Sequence, residues 1–396
     1  MQKINGTIAT PRGFHADGLH CGLKKKRKDL CWLYSDVPAQ AAGVFTTNKV
    51  KAAPIHYTKA ALADGLIQAV VVNSGNANAC TGAVGLADAK KMTELTAEKL
   101  GIEPALVAVA STGVIGKLLP MATVAAGIDR LTIEGDATGF QQAILTTDTC
   151  EKVSVYQDNL VGTMVTVAGC SKGSGMIHPN MATMLGFVTT DVAIASDTLQ
   201  EMLAELTETT FNQITVDGDT STNDMVLVLA NGLAHNPPLM KATPAYEKFK
   251  KMLAAVMTDL AKEIAKDGEG ATKLIEVTVT GAQDNLSARM IAKTVVGSPL
   301  VKTAIFGKDP NWGRILCAVG YSETEAAMEG VTIAIGPHVV YADEMPVLFD
   351  QEAMRETLET QEIAITINLQ EGSGQGMAWG CDLSYDYVKI NALYHT

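Results

Sequence analysis

A long helix pattern that passes directly into a strand pattern is the feature that most constrains this fold. After Pro244, apolar residues recur at helical spacing on a single face until residues 267–268 end the pattern: Phe249, Met252, Leu253, Val256, Met257, Leu260 and Ile264. The next segment, LIEVTVTG, alternates apolar and polar residues, which predicts a half-buried strand. Ile275, Val277 and Val279 lie on its apolar face.

Helix and strand patterns alternate along the rest of the chain. Apolar strands ending in Gly/Asn/Ser loops are predicted at LIQAVVVNSGNAN and ALVAVASTG, with further strands at GVTIAIG, HVVYADE and EIAITINL. ADAKKMTELTAEKLG is predicted to form a short helix that ends at Gly101. Another helix begins near Asp197 and Gln200, whose spacing resembles a capping box. This grouping favours layered α+β or mixed sheets over a regular parallel wound sheet.

Composition excludes several classes of protein. The chain has 396 residues, of which 47% are hydrophobic and 19% charged, as in a compact mixed α/β enzyme of two or three folding units. The net charge of −12 argues against a general affinity for nucleic acid. We interpret the basic run at residues 24–28 as a solvated hairpin tip, with a polyanion-binding signal as the alternative. No apolar run approaches the ~18 residues that a membrane span needs.

Seven scattered cysteines indicate a reducing compartment. None belongs to a CxxC pair and the count is odd, which is typical of reduced, mostly buried thiols and not of a disulfide framework or a zinc site. The first residues lack the charged and apolar regions of a secretory signal. These features predict a cytoplasmic protein.

Loops rich in glycine, amide and hydroxyl residues are the candidates for chemistry. They are residues 72–82, 110–116, 145–149, 168–175, 216–224 and 307–314. Such loops at strand ends can direct backbone N–H groups at an anion or a developing oxyanion. GCSKGSG lacks the Walker spacing of a phosphate loop, and DGDTSTND lacks the terminal glutamate of a calcium loop, which favours a polar turn there. His178 is interpreted as structural.

Thr183 lies in KGSGMIHPNMATMLGF, residues 172–187, where packing is its ordinary role and nucleophilic catalysis the alternative. A threonine hydroxyl is a poor nucleophile and needs a base within hydrogen-bonding reach. A chain break before Thr183 would supply that base, because the new α-amine titrates near ~8. The small Ala182 and the nearby Gly173 and Gly175 would tolerate the strained backbone of such a step. From these residues alone both roles stay open.

KGSGMIHPNMATML resembles the self-cleavage segment of the ornithine acetyltransferase family, the bifunctional glutamate N-acetyltransferases of arginine biosynthesis. Further blocks similar to the family follow in the family's order along essentially the whole chain: PRGF, GVFTTNKVKAAP, VVNSGNANACTG, STGVIG, TTDT, VDGDTSTND, EGATK, GKDPNWGRI and INALYHT. The resemblance implies a mixed α/β fold, the layered αββα-type sandwich that is also found in self-cleaving aminopeptidases.

The same resemblance implies that the chain cuts itself between Ala182 and Thr183. The products would be an N-terminal segment, residues 1–182, and a C-terminal segment, residues 183–396, which stay together as an α2β2 heterotetramer. Thr183 would then be both the first residue of its segment and the nucleophile.

Roles for other residues also follow from the resemblance. Thr112 and Gly113 of STGVIG would form the oxyanion hole for the intermediate on Thr183. The substrate contacts implied by the family are Thr146, Lys172, Thr183, Glu269, Asn391 and Thr396. The charges of Lys172 and Glu269 suit the α-carboxylate and the side-chain ammonium of N2-acetyl-L-ornithine, and which residue meets which group is left open.

The expected reaction moves an acetyl group from N2-acetyl-L-ornithine to L-glutamate by a ping-pong mechanism through an acetyl-threonine, without a metal or cofactor. Acetyl-CoA as a further donor is left open. Two alternatives remain: a self-cleaving aminopeptidase-type hydrolase on the same scaffold, and a non-catalytic protein that binds a small molecule with its glycine loops. The expected partners are these substrates and the chain's own segments, with neither nucleic acid nor membrane.

Overall fold

The structure is a computed structural model and describes residues 1–178 and 184–393. The strands are β1 (Gln2–Lys3), β2 (Phe14–Leu19), β3 (Leu30–Phe45), β4 (Leu66–Asn76), β5 (Val107–Val114), β6 (Lys152–Leu160), β7 (Thr163–Lys172), β8 (Leu185–Thr190), β9 (Ile214–Thr215), β10 (Met225–Ala230), β11 (Leu274–Ala282), β12 (Thr332–Ile335), β13 (His338–Ala342), β14 (Met345–Pro346), β15 (Glu362–Asn368) and β16 (Gly374–Cys381). The helices are α1 (Ala53–Ala61), α2 (Gly82–Leu100), α3 (Met121–Arg130), α4 (Thr138–Ala143), α5 (Ser196–Thr209), α6 (Pro244–Lys266), α7 (Asn285–Gly297), α8 (Pro299–Phe306), α9 (Trp312–Gly320), α10 (Gln351–Glu359) and α11 (Tyr385–Leu393). Short 3₁₀ turns lie at Leu62–Asp64, Pro104–Leu106 and Phe211–Gln213.

Two mixed sheets form the framework. The larger has the order β1-β6-β7-β8-β10-β3-β4-β5, with β2 paired to β3, and the smaller has the order β14-β13-β12-β15-β11-β16-β9. In the larger sheet β8 and β10 are parallel, as are β4 and β5, whereas β7 and β8 are antiparallel. Helices cover both sheets in layers, so the prediction of a mixed, layered α/β fold is confirmed.

The predicted stripe helix is α6, and it lies between the two sheets. It packs against β6 and β7 of the larger sheet and against β9 and β16 of the smaller one. All seven stripe residues are buried in one core cluster. Because burial of a large apolar side chain stabilises a fold by about 1.5–3 kcal/mol, this buried face stabilises the packing of α6 against both sheets. The hydroxyl of Thr243 caps it by accepting a 3.3 Å hydrogen bond from Tyr246 N.

The other long elements follow their sequence patterns. β11 buries Ile275, Val277 and Val279 in a second cluster, formed with α7 and the neighbouring strands of the smaller sheet. The strands predicted from apolar runs appear as β4, β5, β12, β13 and β15. Gly101 ends α2 in the left-handed conformation, with φ 71°, although the helix begins earlier than predicted, at Gly82.

The capping box predicted for α5 is wrong. Gln200 instead exchanges two hydrogen bonds, of 2.9 and 3.2 Å, with the backbone of Gly43 in β3. Asp197 accepts a hydrogen bond from the adjacent Thr198 N. A partner 157 positions away in the chain therefore takes the side chain that local spacing assigned to the helix terminus.

The interpretation of the basic run as a solvated hairpin tip holds for Lys25, Lys26 and Arg27, which are exposed, and fails for Lys24. The run does connect the antiparallel strands β2 and β3, but the Lys24 ammonium is directed inward and donates to the carbonyls of Lys28, at 2.9 Å, and Leu145, at 2.5 Å. Burial lowers the pKa of Lys24 to about 8. Arg27 donates to the Thr146 carbonyl at 3.3 Å. The run therefore fastens the loop at residues 145–149 to the body of the protein.

The structure also tests the expectations about the cysteines and about membrane-spanning helices. All seven cysteines are free, but Cys80, Cys150 and Cys317 are exposed, so the expectation of mostly buried thiols is wrong. Within residues 1–178 and 184–393, no helix is long and apolar enough to cross a membrane.

Candidate active site

A cavity of about 110 Å³ lies where the ends of β5, β7, β8 and β10 meet. Six of the site residues predicted from the sequence line it: Thr112, Gly113, Thr146, Lys172, Glu269 and Asn391. Met184, the first described residue after the gap, also lines it. The predicted cleavage residues Ala182 and Thr183, and the predicted contact Thr396, lie outside the described residues.

Gly113 lies where the backbones of β4 and β5 approach each other closely. β4 and β5 run parallel, and a register shift at Gly75 and Asn76 brings these two residues against Gly113. A Cβ atom at position 113 would lie 2.4 Å from the Gly75 carbonyl carbon, and the φ of 134° is one that L-residues rarely adopt. Only glycine fits this position, which explains a glycine after Thr112.

Buried amide side chains hold this part of the cavity wall. Ser111 Oγ donates to Asn73 Oδ1 at 2.6 Å, and Asn73 Nδ2 donates to the Asn76 carbonyl at 2.9 Å. Asn223 Nδ2 donates to the carbonyls of Ala77, at 2.5 Å, and Ser111, at 2.8 Å. Because each buried carbonyl has its donor, the ends of β4 and β5 are fixed relative to the segment before β10.

Lys172, the last residue of β7, presents an available positive charge. It is 8% exposed, and among residues 1–178 and 184–393 its ammonium makes no hydrogen bond and no ion pair within 4 Å. Although burial opposes the effect, its charge lowers the pKa of Asp148. Asp148 already pairs with Lys152 at 2.8 Å and accepts from Gly173 N at 2.6 Å. An anionic ligand in the cavity would therefore meet a lysine whose ammonium has no carboxylate oxygen within 4 Å among the described residues.

Glu269 brings a negative charge to the same cavity. Its backbone N–H donates to the Ser174 carbonyl at 3.0 Å, which fixes the turn after α6. Its carboxylate occupies the space beside Gly175, where a Cβ atom would lie 2.3 Å from the Glu269 carboxyl carbon. Asn391 Nδ2, from α11, donates to Glu269 Oε2 at 2.9 Å. Glycine at position 175 and the C-terminal helix together orient this carboxylate.

The chain matches the ArgJ family model over residues 15–396. It belongs to the ArgJ family. Two proteins named "Arginine biosynthesis bifunctional protein ArgJ", from Streptococcus thermophilus and Staphylococcus epidermidis, are 58% and 57% identical to it, each over 100% of both chains. The crystal structure of ArgJ from Bacillus halodurans is 56% identical, with a TM-score of 0.52, and covers 52% of this chain and 98% of that one. The chain is an acetyltransferase of arginine biosynthesis.

Asp217 supports the cavity wall of this ArgJ family member in a way that the sequence did not reveal. Its carboxylate accepts hydrogen bonds from Met176 N, at 2.7 Å, and Ile177 N, at 2.9 Å, in the segment that leads toward the predicted cleavage site. It also accepts a 3.3 Å hydrogen bond from Tyr387 Oη on α11. One carboxylate thus connects that segment to the helix that carries Asn391.

The loop that contains Asp217, residues 216–224, was interpreted from its composition as a polar turn. Its acidic residues do not converge on a metal site within the described part of the chain. The Asp217 carboxylate forms hydrogen bonds within the protein instead. The roles of Asp217 and Asn223 depend on partners distant in the chain, and the polar composition of the loop was the signal in the sequence that could have indicated them.

His178 lies at a different cavity from the predicted site residues, which is consistent with a structural role. Its Nδ1 is 3.0 Å from Thr215 Oγ1. Burial lowers the pKa of His178 to about 4, and the charge of Lys293 acts in the same direction. The imidazole is therefore neutral in the folded protein at neutral pH.

We expect His178 to make the folded protein less stable as the pH falls from about 6.5 to about 4. The folded pKa is the lower one, so the unfolded chain takes up the proton first and acidification favours unfolding. Because the ring is partly exposed, the expected loss is discounted to about 1–2 kcal/mol. Urea unfolding at pH 7 and pH 4.5 should show a smaller loss for His178→Gln than for wild type. The exposed control His56→Gln should behave as wild type, and an unchanged loss in His178→Gln would contradict the assignment.

Proposed function

We propose that the enzyme transfers an acetyl group from N2-acetyl-L-ornithine to L-glutamate by a ping-pong mechanism, with the acetyl group resting on Thr183. The proposal includes prior self-cleavage between Ala182 and Thr183. The observation that carries it is the cavity itself, which collects the six described site residues beside Met184. The six residues come from motifs that are far apart in the sequence, and all six line this one cavity.

Self-cleavage is proposed to begin with attack of the Thr183 hydroxyl on the Ala182 carbonyl. The peptide amide becomes an ester, and the Thr183 nitrogen is released as an amine. Water then hydrolyses the ester, which leaves a carboxylate on Ala182 and a free hydroxyl and amine on Thr183. The new amine is the base that an ordinary threonine lacks.

Acetyl transfer then uses the same hydroxyl. The Thr183 amine takes its proton as the oxygen attacks the acetyl carbonyl, and Thr112 and Gly113 stabilise the oxyanion, an effect typically worth about 3 kcal/mol per donor. Collapse of the intermediate transfers that proton to the departing α-amine of ornithine and leaves an acetyl ester. The amine of glutamate attacks this ester in a second, reverse half-reaction and restores free Thr183.

Two observations support proposing that segments 1–182 and 183–396 stay together after the cut. β8 of the second segment lies in the larger sheet between β7 of the first segment and β10, with Lys172 opposite Leu185. β10 in turn pairs with β3 of the first segment. The hydrogen bonds on both sides of β8 do not depend on an intact peptide bond before Thr183.

The length of a solved relative supports the cleavage. The Bacillus halodurans chain is matched over 98% of its length and yet covers only 52% of this chain, about the share that segment 183–396 represents. We further propose an α2β2 assembly in the cytoplasm. Because the relatives are named bifunctional, we propose acetyl-CoA as a second acetyl donor.

Acetylornithine alone is expected to release ornithine and leave one acetyl group on the C-terminal segment. Mass spectrometry of the two segments detects the adduct, and initial rates against both substrates should give parallel double-reciprocal lines. Addition of glutamate should remove the adduct and yield acetylglutamate. Free acetate without acetylglutamate would instead indicate a hydrolase. Intersecting lines with no adduct would indicate direct transfer and contradict the covalent role of Thr183.

A further inference from the structure

We propose that the basic run at residues 24–28 binds the phosphates of acetyl-CoA outside the active cavity, through the exposed charges of Lys25, Lys26 and Arg27. This inference rests on the proposed function and deepens one part of it, the use of acetyl-CoA as a second donor. The transfer from acetylornithine to glutamate gives the run no role beyond fastening a neighbouring loop.

The loop that carries the run is held in place by hydrogen bonds to the body of the protein. The buried carboxylate of Asp29 accepts a 2.8 Å hydrogen bond from Lys24 N, and the Lys24 ammonium donates to the Leu145 carbonyl at 2.5 Å. Arg27 Nη1 donates to the Asp148 carbonyl at 3.2 Å. The exposed charges are therefore presented from an ordered backbone, which lowers the entropic cost of binding a ligand.

The run lies beside the active cavity. Arg27 contacts the loop whose residues 146–147 line that cavity. Lys24 packs against Gly75, where a Cβ atom would lie 3.0 Å from Lys24 Cγ. Gly75 in turn contacts Gly113, which also lines the cavity. Both ends of the run therefore contact residues that form or support the cavity wall.

A second cavity, of about 420 Å³, shares this loop with the active cavity. Arg27 and Lys28 contribute positive charge to its wall. Of its two acidic residues, Asp148 is buried in an ion pair, and Glu151 accepts a 2.9 Å hydrogen bond from Gln142 Nε2. A space large enough for part of a ligand therefore lies between the run and the entrance loop of the active site.

The charge of the run is not neutralised by nearby carboxylates. Within residues 1–178 and 184–393, Lys25, Lys26 and Arg27 have no carboxylate oxygen within 4 Å. The whole chain has a net charge of −12, so five consecutive basic residues form a local exception. Arginine and lysine form strong charge-assisted hydrogen bonds with phosphate, and a local positive field attracts such a ligand.

Acetyl-CoA has a charge distribution that suits this arrangement. Its acetyl thioester lies at one end of a long flexible arm, and its phosphates lie at the other end, on the nucleotide. The active cavity, of about 110 Å³, is smaller than the ~300 Å³ or more of pockets that enclose a drug-sized ligand, so the nucleotide must bind outside it. The basic run offers that outer site.

The chemical step would be the one proposed for acetylornithine. Attack of the Thr183 hydroxyl on the thioester carbonyl forms the acetyl ester and breaks the C–S bond. The hydroxyl proton passes through the Thr183 amine to the departing sulfur, and CoA leaves as a thiol. Glutamate then takes the acetyl group from Thr183.

Two thioester donors with different phosphate content test the assignment. S-acetylpantetheine keeps the acetyl thioester and the arm but lacks the phosphates and the nucleotide. In Lys25→Gln/Lys26→Gln, the preference in kcat/KM for acetyl-CoA over S-acetylpantetheine should fall by about 10-fold, with glutamate as the acceptor. The kcat/KM for acetylornithine should be unchanged, because acetylornithine has no phosphate. Lys25→Glu/Lys26→Glu should lower the preference further.

A matched control is available on α2. Lys90→Gln/Lys91→Gln removes the same charge from another exposed pair and should keep the wild-type preference. A second measurement needs no variant: in wild type, added NaCl should lower kcat/KM for acetyl-CoA more than for S-acetylpantetheine, because salt screens exposed charges. This difference between the donors should be smaller in Lys25→Gln/Lys26→Gln.

The outcomes separate the alternatives. An unchanged preference in Lys25→Gln/Lys26→Gln would overturn the proposal. An equal fall for acetyl-CoA, S-acetylpantetheine and acetylornithine would also overturn it, because the run would then act only by fastening the loop. Wild type that uses acetylornithine but not acetyl-CoA would remove the second donor and this inference with it. Failure of the proposed function would appear differently, since wild type would then form no acetylglutamate from acetylornithine.

Discussion

Thr183→Ala is expected to accumulate as one uncut chain of 396 residues without acetyl-transfer activity. The hydroxyl is proposed to perform both the cleavage and the transfer, so its removal abolishes both. Wild type should give two bands on a denaturing gel, of 182 and 214 residues. End sequencing of the second should begin Thr-Met-Leu-Gly-Phe. The acetyl-transfer rate of this variant is expected to fall below the detection limit of the assay.

Thr183→Ser is the matched control for this experiment. It keeps the hydroxyl and should still cut, but it should turn over more slowly because the methyl group that restricts the side-chain rotamer is absent. A Thr183→Ala protein that still splits before position 183, or transfers acetyl at the wild-type rate, would contradict the nucleophile. The residue would then be part of the core, the alternative that the sequence left open.

The fold was predictable where the information is local. The stripe that became α6 and the alternation that became β11 each repeat several times within one segment, so a single face is defined without knowledge of its partner. What the pattern could not contain is the position of α6 between two sheets. That arrangement depends on contacts with strands more than 70 residues earlier and more than 100 residues later in the chain.

Local spacing failed where a distant partner competed for a side chain. Gln200 has the position of a capping residue, but Gly43 offers it both a donor and an acceptor. Lys24 belongs to a basic run typical of a solvated loop, but carbonyls at the end of a loop 121 residues later take its ammonium. In each case the long-range hydrogen bonds form inside the protein, where they replace contacts with water.

The site was predictable in a different way. Nothing in the chemistry of Thr146, Glu269 or Asn391 distinguishes them in the sequence, and they were indicated by the resemblance of their motifs to a family. The structure places them at one cavity, although their roles stay predictions. The hydrogen bonds of Asp217 were missed because a loop of polar residues resembles any solvated turn until its hydrogen-bond partners are known.

Lys172→Met and Glu269→Gln are each expected to lower kcat/KM for acetylornithine by about 100-fold or more. Each variant leaves one charged group of the substrate unpaired in a largely buried cavity. Met keeps the length of the lysine stem, and Gln keeps the shape of the glutamate and an acceptor for Asn391. Surface controls with the same chemistry, Lys59→Met and Glu247→Gln, should retain wild-type kinetics.

The two half-reactions should separate these variants. Glutamate carries an α-carboxylate but no side-chain ammonium, so Glu269→Gln should slow the release of ornithine much more than the transfer from acetyl-enzyme to glutamate. Lys172→Met should slow both steps, because both substrates present an α-carboxylate. Rapid-quench measurement of ornithine release, and of acetylglutamate formed from isolated acetyl-enzyme, gives the two rates. Wild-type rates in both steps for both variants would show that this cavity is not the substrate site. Equal damage to both steps in Glu269→Gln would show that Glu269 does not recognise the ammonium.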